Sequence, residues 1–158
     1  MNIKKILGLG FLTLAVFIIG KSIFTKNEKV EGTSSSRSEK ITIHKSPTCG
    51  CCVGYTGFLK RDGYEVETNE TTDMDSVKKE HNIPINMQSC HTSIIGKYFV
   101  EGHIPLEVVD KLLAEKPDLD GIALPGMPAG SPGMPGAKTE EFIIYGLKDG
   151  EVSEFTRI

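Results

Sequence analysis

Three cysteines fall within four positions, Cys49-Gly50-Cys51-Cys52, and the hydrophobic period changes across them. Before them, Ile41-Thr42-Ile43-His44 alternates and is β-branched, the pattern of a strand, and Pro47 ends it. After them, Val53, Tyr55, Phe58 and Leu59 place apolar groups on one side of a helix running to about Arg61, with Gly63 positioned to stop it. The thiols are therefore expected at a strand-to-helix turn. A thiol at that position faces unbonded N–H groups and the positive end of the helix macrodipole, which favour thiolate. Thiolate is both the nucleophile of disulfide exchange and a ligand of soft metals, so the motif alone supports two chemistries.

The rest of the chain continues the alternation. Tyr64–Thr68 reads as a second strand, Met74–His81 as a short polar helix, and Thr92–Ile95 with Lys97–Val100 as two strands joined at Gly96. Pro105 opens a helix with Leu106, Val109, Leu112 and Leu113 at helical spacing, ending before Pro117. The segment from Leu124 to Gly136, LPGMPAGSPGMPG, holds too many prolines and glycines for a helix or central strand. Glu141–Tyr145 and Val152–Phe155 then form a hairpin around Lys148-Asp149-Gly150. The order β-α-β-α-β-β-α, with C-x-x-C before the first helix, predicts an α/β domain. Its expected form is a thioredoxin-like central mixed sheet flanked by helices, with a C-terminal Gly/Pro/Met loop and hairpin.

Upstream lie two segments of different character. Ile6–Gly20 is fifteen residues without a charge behind Lys4 and Lys5, and with Ser22–Phe24 it approaches the length that spans a bilayer. No A-x-A-like cleavage site follows it, so residues 1–25 are read as a retained membrane anchor or, failing that, a cleaved signal segment. The basic flank favours an inside N-terminus and leaves the remainder outside the cytoplasmic membrane. Residues 26–40 carry four serines and a single large apolar residue, Val30, and are expected to be a flexible polar linker. The folded domain is thus assigned to residues 41–158. A net charge of −3 without a long basic run argues against nucleic acid as a partner.

Cys49 and Cys52 have C-x-x-C spacing, and a redox-active protein would use them as its catalytic pair. Cys51 is a competing partner in such a couple but an additional ligand for a metal. The last of the four cysteines, Cys90, stands just before the third strand, at the junction that faces the C-x-x-C turn in thioredoxin-like folds. Four thiolates suit Cu(I), singly or as a cluster, or a closed tetrahedral zinc site. Met127 and Met134 repeat in PGMPAGSPGMPG, and thioethers bind Cu(I) but are poor zinc ligands. The favoured metal is copper, with His91 as a further ligand candidate; His103 and His44 are weaker candidates, and His81 is expected only to serve as a cation at a helix end. A thiol-disulfide oxidoreductase and a structural zinc module are the alternatives.

Four stretches taken together, Pro47–Cys52, Ser89–Thr92, Gly102–Pro105 and Leu124–Met134, resemble a family of small metal-binding proteins described as a domain of unknown function, which includes the periplasmic copper-resistance protein CopG. The resemblance runs from Ile41 to the C-terminus. It implies a thioredoxin-like domain outside the cytosol that binds copper through Cys49, Cys51, Cys52 and Cys90, with Met127 and Met134 in the family's Gly-Pro-Met loop. It also implies a part in copper tolerance, including conversion between copper oxidation states, and copper chaperone or efflux proteins as partners. The N-terminus departs from the family in looking like an anchor, which points to a membrane-tethered, outward-facing domain.

Overall fold

The alternating run ahead of the cysteines forms β1 (Arg37–Lys45), and the chain turns through Ser46–Thr48 into helix α1 (Gly50–Arg61). The computed structural model describes residues 37–158; the expected anchor and residues 26–36 of the expected linker lie outside the described residues. Cys52, Tyr55 and Leu59, three and four positions apart, make the buried face of α1. The helix stops where the Asp62 N–H reaches back to the carbonyls of Phe58 and Leu59 and Gly63 takes φ 92°, a value that favours glycine.

Strand β2 (Tyr64–Glu70) follows, then α2 (Met74–Glu80), started by Asp73, whose side chain accepts the Ser76 N–H at 3.0 Å. A 3-10 turn at Ile85–Met87 leads into β3 (His91–Ile95) and β4 (Tyr98–Glu101). Helix α3 (Leu106–Glu115) buries Leu106, Val108, Val109 and Leu112 and ends on Lys116 in the left-handed region, ahead of Pro117. Strands β5 (Gly121–Ala123), β6 (Ile143–Lys148) and β7 (Glu151–Arg157) complete the domain. Asp149 and Gly150, at φ 51° and 82°, form the two-residue connection between β6 and β7.

The seven strands form one mixed sheet in the order β2-β1-β3-β4-β5-β6-β7, parallel at β1/β2 and β4/β5 and antiparallel elsewhere. The α/β class read from the sequence is the class found. Alternation along the strands sends Ile41, Ile43, Ile95, Val100, Ile122 and Ile144 to one face, where they pack with α1 and α3. Ile94, Phe99, Ala123, Tyr145 and Leu147 go to the other, under Ile83 and Met87.

Two features differ from the sequence expectation. β1 begins at Arg37, so residues 37–40 belong to the sheet and not to the tether. The Arg37 guanidinium lies 4.6 Å from the Tyr64 ring centre, donates to the Tyr64 hydroxyl at 3.0 Å and pairs with Asp62 and Asp110. These are backbone pairing and charge contacts, to which hydrophobicity is blind. β5 was also not expected. It is only three residues long, and Gly121 lies so close to β4 that an added Cβ would stand 2.3 Å from the Phe99 carbonyl oxygen.

Candidate metal centre

Cys49 caps α1 and donates its backbone N–H to the Ser46 carbonyl at 3.1 Å, while Cys51 and Cys52 lie in the first turn. Cys90 reaches them from the start of β3, next to β1 in the sheet. The sulfurs of Cys49, Cys51, Cys52 and Cys90 all lie within 4.8 Å of one another. Cys51 Sγ is 3.5 Å from Cys49 Sγ and 3.8 Å from Cys90 Sγ, and Cys52 Sγ is 3.7 Å from Cys90 Sγ.

In this structure Cys49 and Cys52 are joined as a disulfide with Cα atoms 5.4 Å apart, and Cys51 and Cys90 are free thiols. That bond leaves two free thiols at the site rather than four. Cys52 is buried completely, whereas the other three cysteines are half-buried. Burial, and then the neighbouring Cys51, push the Cys90 thiol up to about 12. Cys90 lies beyond the helix start, so the helix effect expected for the CGCC thiols gives no reason to expect a lowered value here.

Two imidazoles close the site from the sheet side. Cys90 Sγ lies 3.1 Å from His103 Nε2 and 3.3 Å from His91 Nδ1. His103 Nδ1 is 2.7 Å from the Pro132 carbonyl oxygen, which can only accept, so that nitrogen carries the ring proton and Nε2 turns a lone pair toward the thiol. Tyr55 of α1 walls both rings, at 4.8 Å from the His91 ring and 5.4 Å from the His103 ring, and its hydroxyl donates to the Ile104 carbonyl at 2.9 Å. Burial lowers the pKa of both imidazoles, that of His91 to about 3, and keeps them neutral. His91 Nε2 is buried with no hydrogen-bond partner.

The Gly/Pro/Met segment lies against this assembly. Gly133, at φ 81°, approaches α1 so closely that a Cβ there would stand 2.6 Å from the Tyr55 nitrogen, and Gly54 meets it from the helix side. Ser131 and Met134 tighten the loop through Ser131 N–H to Pro128 O at 3.2 Å and Met134 N–H to Ser131 O at 2.9 Å. Met134 is half-buried next to the Gly133 contact, and Met127 is 52% exposed.

Of the other histidines, His44 sits on β1 between the inward-facing Ile43 and Lys45, so it points to the opposite face of the sheet. His81 ends α2, but burial lowers its pKa and its ring lies 6.1 Å from Phe99, contrary to the expected helix-end cation. Neither belongs to the two groups of clustered donor atoms found among the described residues.

Beneath Cys90, on the opposite face, lies a charged group that hydrophobic patterning does not reveal. Glu101 is fully buried; its Oε1 accepts the Ser89 N–H at 2.6 Å and pairs with Lys78, and its Oε2 accepts the Thr92 hydroxyl at 2.6 Å. Glu101 thereby holds the Ser89 backbone ahead of Cys90 and the Thr92 side chain after it. A usable signal was present: Glu101 directly follows the strand residues Tyr98, Phe99 and Val100, a setting in which a buried carboxylate requires a partner.

A family model described as "Protein of unknown function, DUF411" matches residues 87–134, the span that contains Cys90, His91, His103, Met127 and Met134. Among curated proteins nothing matches the chain. Two solved structures do: "Copper resistance protein copG- Form 2", 38% identical, with TM-score 0.70 over 76% of this chain and 98% of that one, and "Copper resistance protein copG- Form 1", 38% identical, with TM-score 0.69 over 75% and 96%. At that identity over nearly the whole of those proteins, the chain belongs to the DUF411 copper-resistance family.

Proposed function

We propose that this protein is an extracytoplasmic copper-binding protein of copper tolerance, holding Cu(I) in its reduced state through Cys49, Cys51, Cys52 and Cys90. The observation that carries this reading is the convergence of four sulfurs from two separate elements within 4.8 Å. Such a set offers soft, close-packed donors, which select Cu(I) over harder ions. Met127, Met134 and His91 serve as secondary ligands or entry groups. The strand order β2-β1-β3-β4, with β1 and β2 parallel and the cysteines ahead of α1, supports a thioredoxin-like assignment for this half of the sheet. The apolar run Ile6–Gly20 behind Lys4 and Lys5 supports a tether that holds the domain on the outer side of the cytoplasmic membrane, where copper chaperones or efflux proteins would exchange metal with it.

The test is anaerobic titration of the reduced full-length chain with Cu(I) against a competing chelator, for the wild type and for Cys51→Ser. Tight binding that weakens or loses equivalents without Cys51 is the expected result. Weak wild-type binding, or no change on losing Cys51, sinks the four-thiol site.

The Cys49–Cys52 disulfide favours a second reading, in which this pair exchanges electrons. With copper as the oxidant, the two thiols would lose two electrons and two protons to form the disulfide as two Cu(II) become two Cu(I). With a protein dithiol as partner, the chain would be a thiol-disulfide oxidoreductase. Copper reduction by the reduced protein that survives Cys52→Ser undiminished rules out the first version; full dithiol-exchange activity after the same change rules out the second.

A further inference from the structure

Charge is spread unevenly along this chain. Residues 46–59, 81–96, 102–106 and 121–137 hold no Asp, Glu, Lys or Arg. All four stretches pass through the end of the sheet that carries the cysteines, as the turn into α1, the approach to β3, the turn after β4 and the Gly/Pro/Met segment. Three of the four large apolar side chains exposed among the described residues, Val53, Ile85 and Met127, belong to them. Nothing stands within 4 Å of the place a Gly50 side chain would take, so the helix start beside Cys49 and Cys51 is open to an approaching molecule.

One flank of this uncharged end is acidic. Glu70 ends β2 beside the turn, Asp73 caps α2 and Asp75 lies in its first turn, and all three are exposed. The cation of the turn, Lys45, is buried and already paired with Glu70. Asp75 also lines a hollow of about 580 Å³ with Lys79, Asn82, Ile83, Ile85 and Gln88, which leads up to Cys90. Its apolar wall suits the stem of a long side chain, and the Asp75 carboxylate suits a cation at the tip.

The centre of a protein–protein contact is depleted of charge, because a charge buried there without a partner is costly. Charges at the edge then select the partner by opposite sign. We propose that the cysteine-bearing end docks a copper-carrying protein whose contact surface is uncharged at its centre and basic at its edge, with one Lys or Arg of that edge entering the hollow beside Asp75. The inference rests on the copper reading above for the cargo. A carrier seated on this face covers the cysteines, so Cu(I) passes from its sulfur donors to the thiols of this chain, which release their protons; no electrons move.

The probes are two synthetic peptides that share an uncharged Met-x-x-Met core, one flanked by lysines and the other by glutamates, each loaded with Cu(I). Transfer to the reduced full-length chain should be at least about tenfold faster from the lysine peptide at 0.01 M salt, and the difference should fall below about twofold at 1 M salt. Asp75→Lys should reverse the preference, and Val53→Lys should slow transfer from the lysine peptide. Neither change should alter the equilibrium Cu(I) affinity measured against a chelator, because neither residue is a ligand.

A readout on the unsubstituted protein needs no copper. The metal-free lysine peptide should shift the amide resonances of Gly50, Val53, Ile85 and Gly126 and leave those of β7 in place. Equal rates from the two peptides, an unchanged preference in Asp75→Lys, or absent amide shifts would each overturn the docking face. The same amides shifting on self-association would assign the face to a second copy, and shifting with phosphatidylcholine vesicles would assign it to lipid; either result overturns the carrier. A reduced chain that fails to take Cu(I) from the chelator while the metal-free peptide still shifts those amides refutes the four-thiol reading alone; the reverse refutes only the docking face.

Discussion

Strands β3 and β4 bury polar groups on both faces of the sheet, and the two faces treat them differently. On the α2 side, each oxygen of Glu101 is satisfied, by Ser89, Lys78 and Thr92. On the α1 side, His91 Nε2 has no partner, and the sulfurs of Cys51 and Cys90 meet other sulfurs and, for Cys90, imidazole nitrogen. Saturated polar groups in a protein interior brace a structure, whereas converging donors left without partners are poised for a ligand. The two sets are only one residue apart along β3, because alternation sends His91 to one face and Thr92 to the other.

The largest expected effect tests the braced face. Glu101→Gln leaves the buried Lys78 uncompensated and should cost about 3–5 kcal/mol in chemical denaturation, with most of it recovered in a Lys78→Met/Glu101→Leu double variant. If the single variant is as stable as the wild type, the brace is an idle ion pair and the comparison fails. Cys90→Ser tests the donor face and should do the opposite. Unfolding free energy of the metal-free protein should stay within about 1 kcal/mol, the range for a partly exposed residue without a structural role. Cu(I) affinity of the reduced chain should fall by more than about 100-fold, again beyond the loss of an outer partner. Equal effects on stability and affinity would erase the distinction between the faces.

A third variant sharpens the role of the loop. Gly133→Ala places a methyl 2.6 Å from the Tyr55 nitrogen at φ 81°, and should cost about 1–3 kcal/mol and speed amide exchange from Gly130 to Met134. Gly54→Ala, whose Cβ meets the Gly133 carbonyl at 3.2 Å, should change stability by less than about 1 kcal/mol, because the better helix propensity of alanine offsets the tight contact. A further effect is graded with pH. Since burial holds the Cys90 thiol at about 12, the metal-free site keeps that proton through neutral pH and must release it on binding. Lower pH supplies the competing proton, so apparent Cu(I) affinity should fall about tenfold per pH unit for each thiol proton displaced. Affinity independent of pH from about 6 to 8 would mean that no thiol proton leaves.

The parts legible in the sequence were those governed by short-range rules. The strand before Cys49, the helix after it, the Asp149-Gly150 hairpin and the stripe of α3 each follow from period, turn chemistry or capping within about a dozen residues. The parts that were not legible depend on partners far along the chain. β5 exists because Gly121 lets its backbone lie against β4, and Arg37–Lys40 joins the sheet through pairing with β2 and contacts to Tyr64, Asp62 and Asp110. His103 ranked only as a weaker ligand candidate at a helix start, because its closeness to Cys90 depends on the turn at Gly102 and its ring orientation on Pro132.

By itself the sequence determined the α/β class, the strand-to-helix setting of the CGCC thiols and the soft-donor chemistry that this residue set can perform, since periodicity and side-chain type are written locally. Only the tertiary structure decided that Cys90 meets those thiols from a second element, that His91 and His103 turn nitrogen toward it, and that Glu101 is a brace. Each of those facts rests on distances below 4 Å between residues separated by up to 39 positions, and the packing of strands and helices sets such distances.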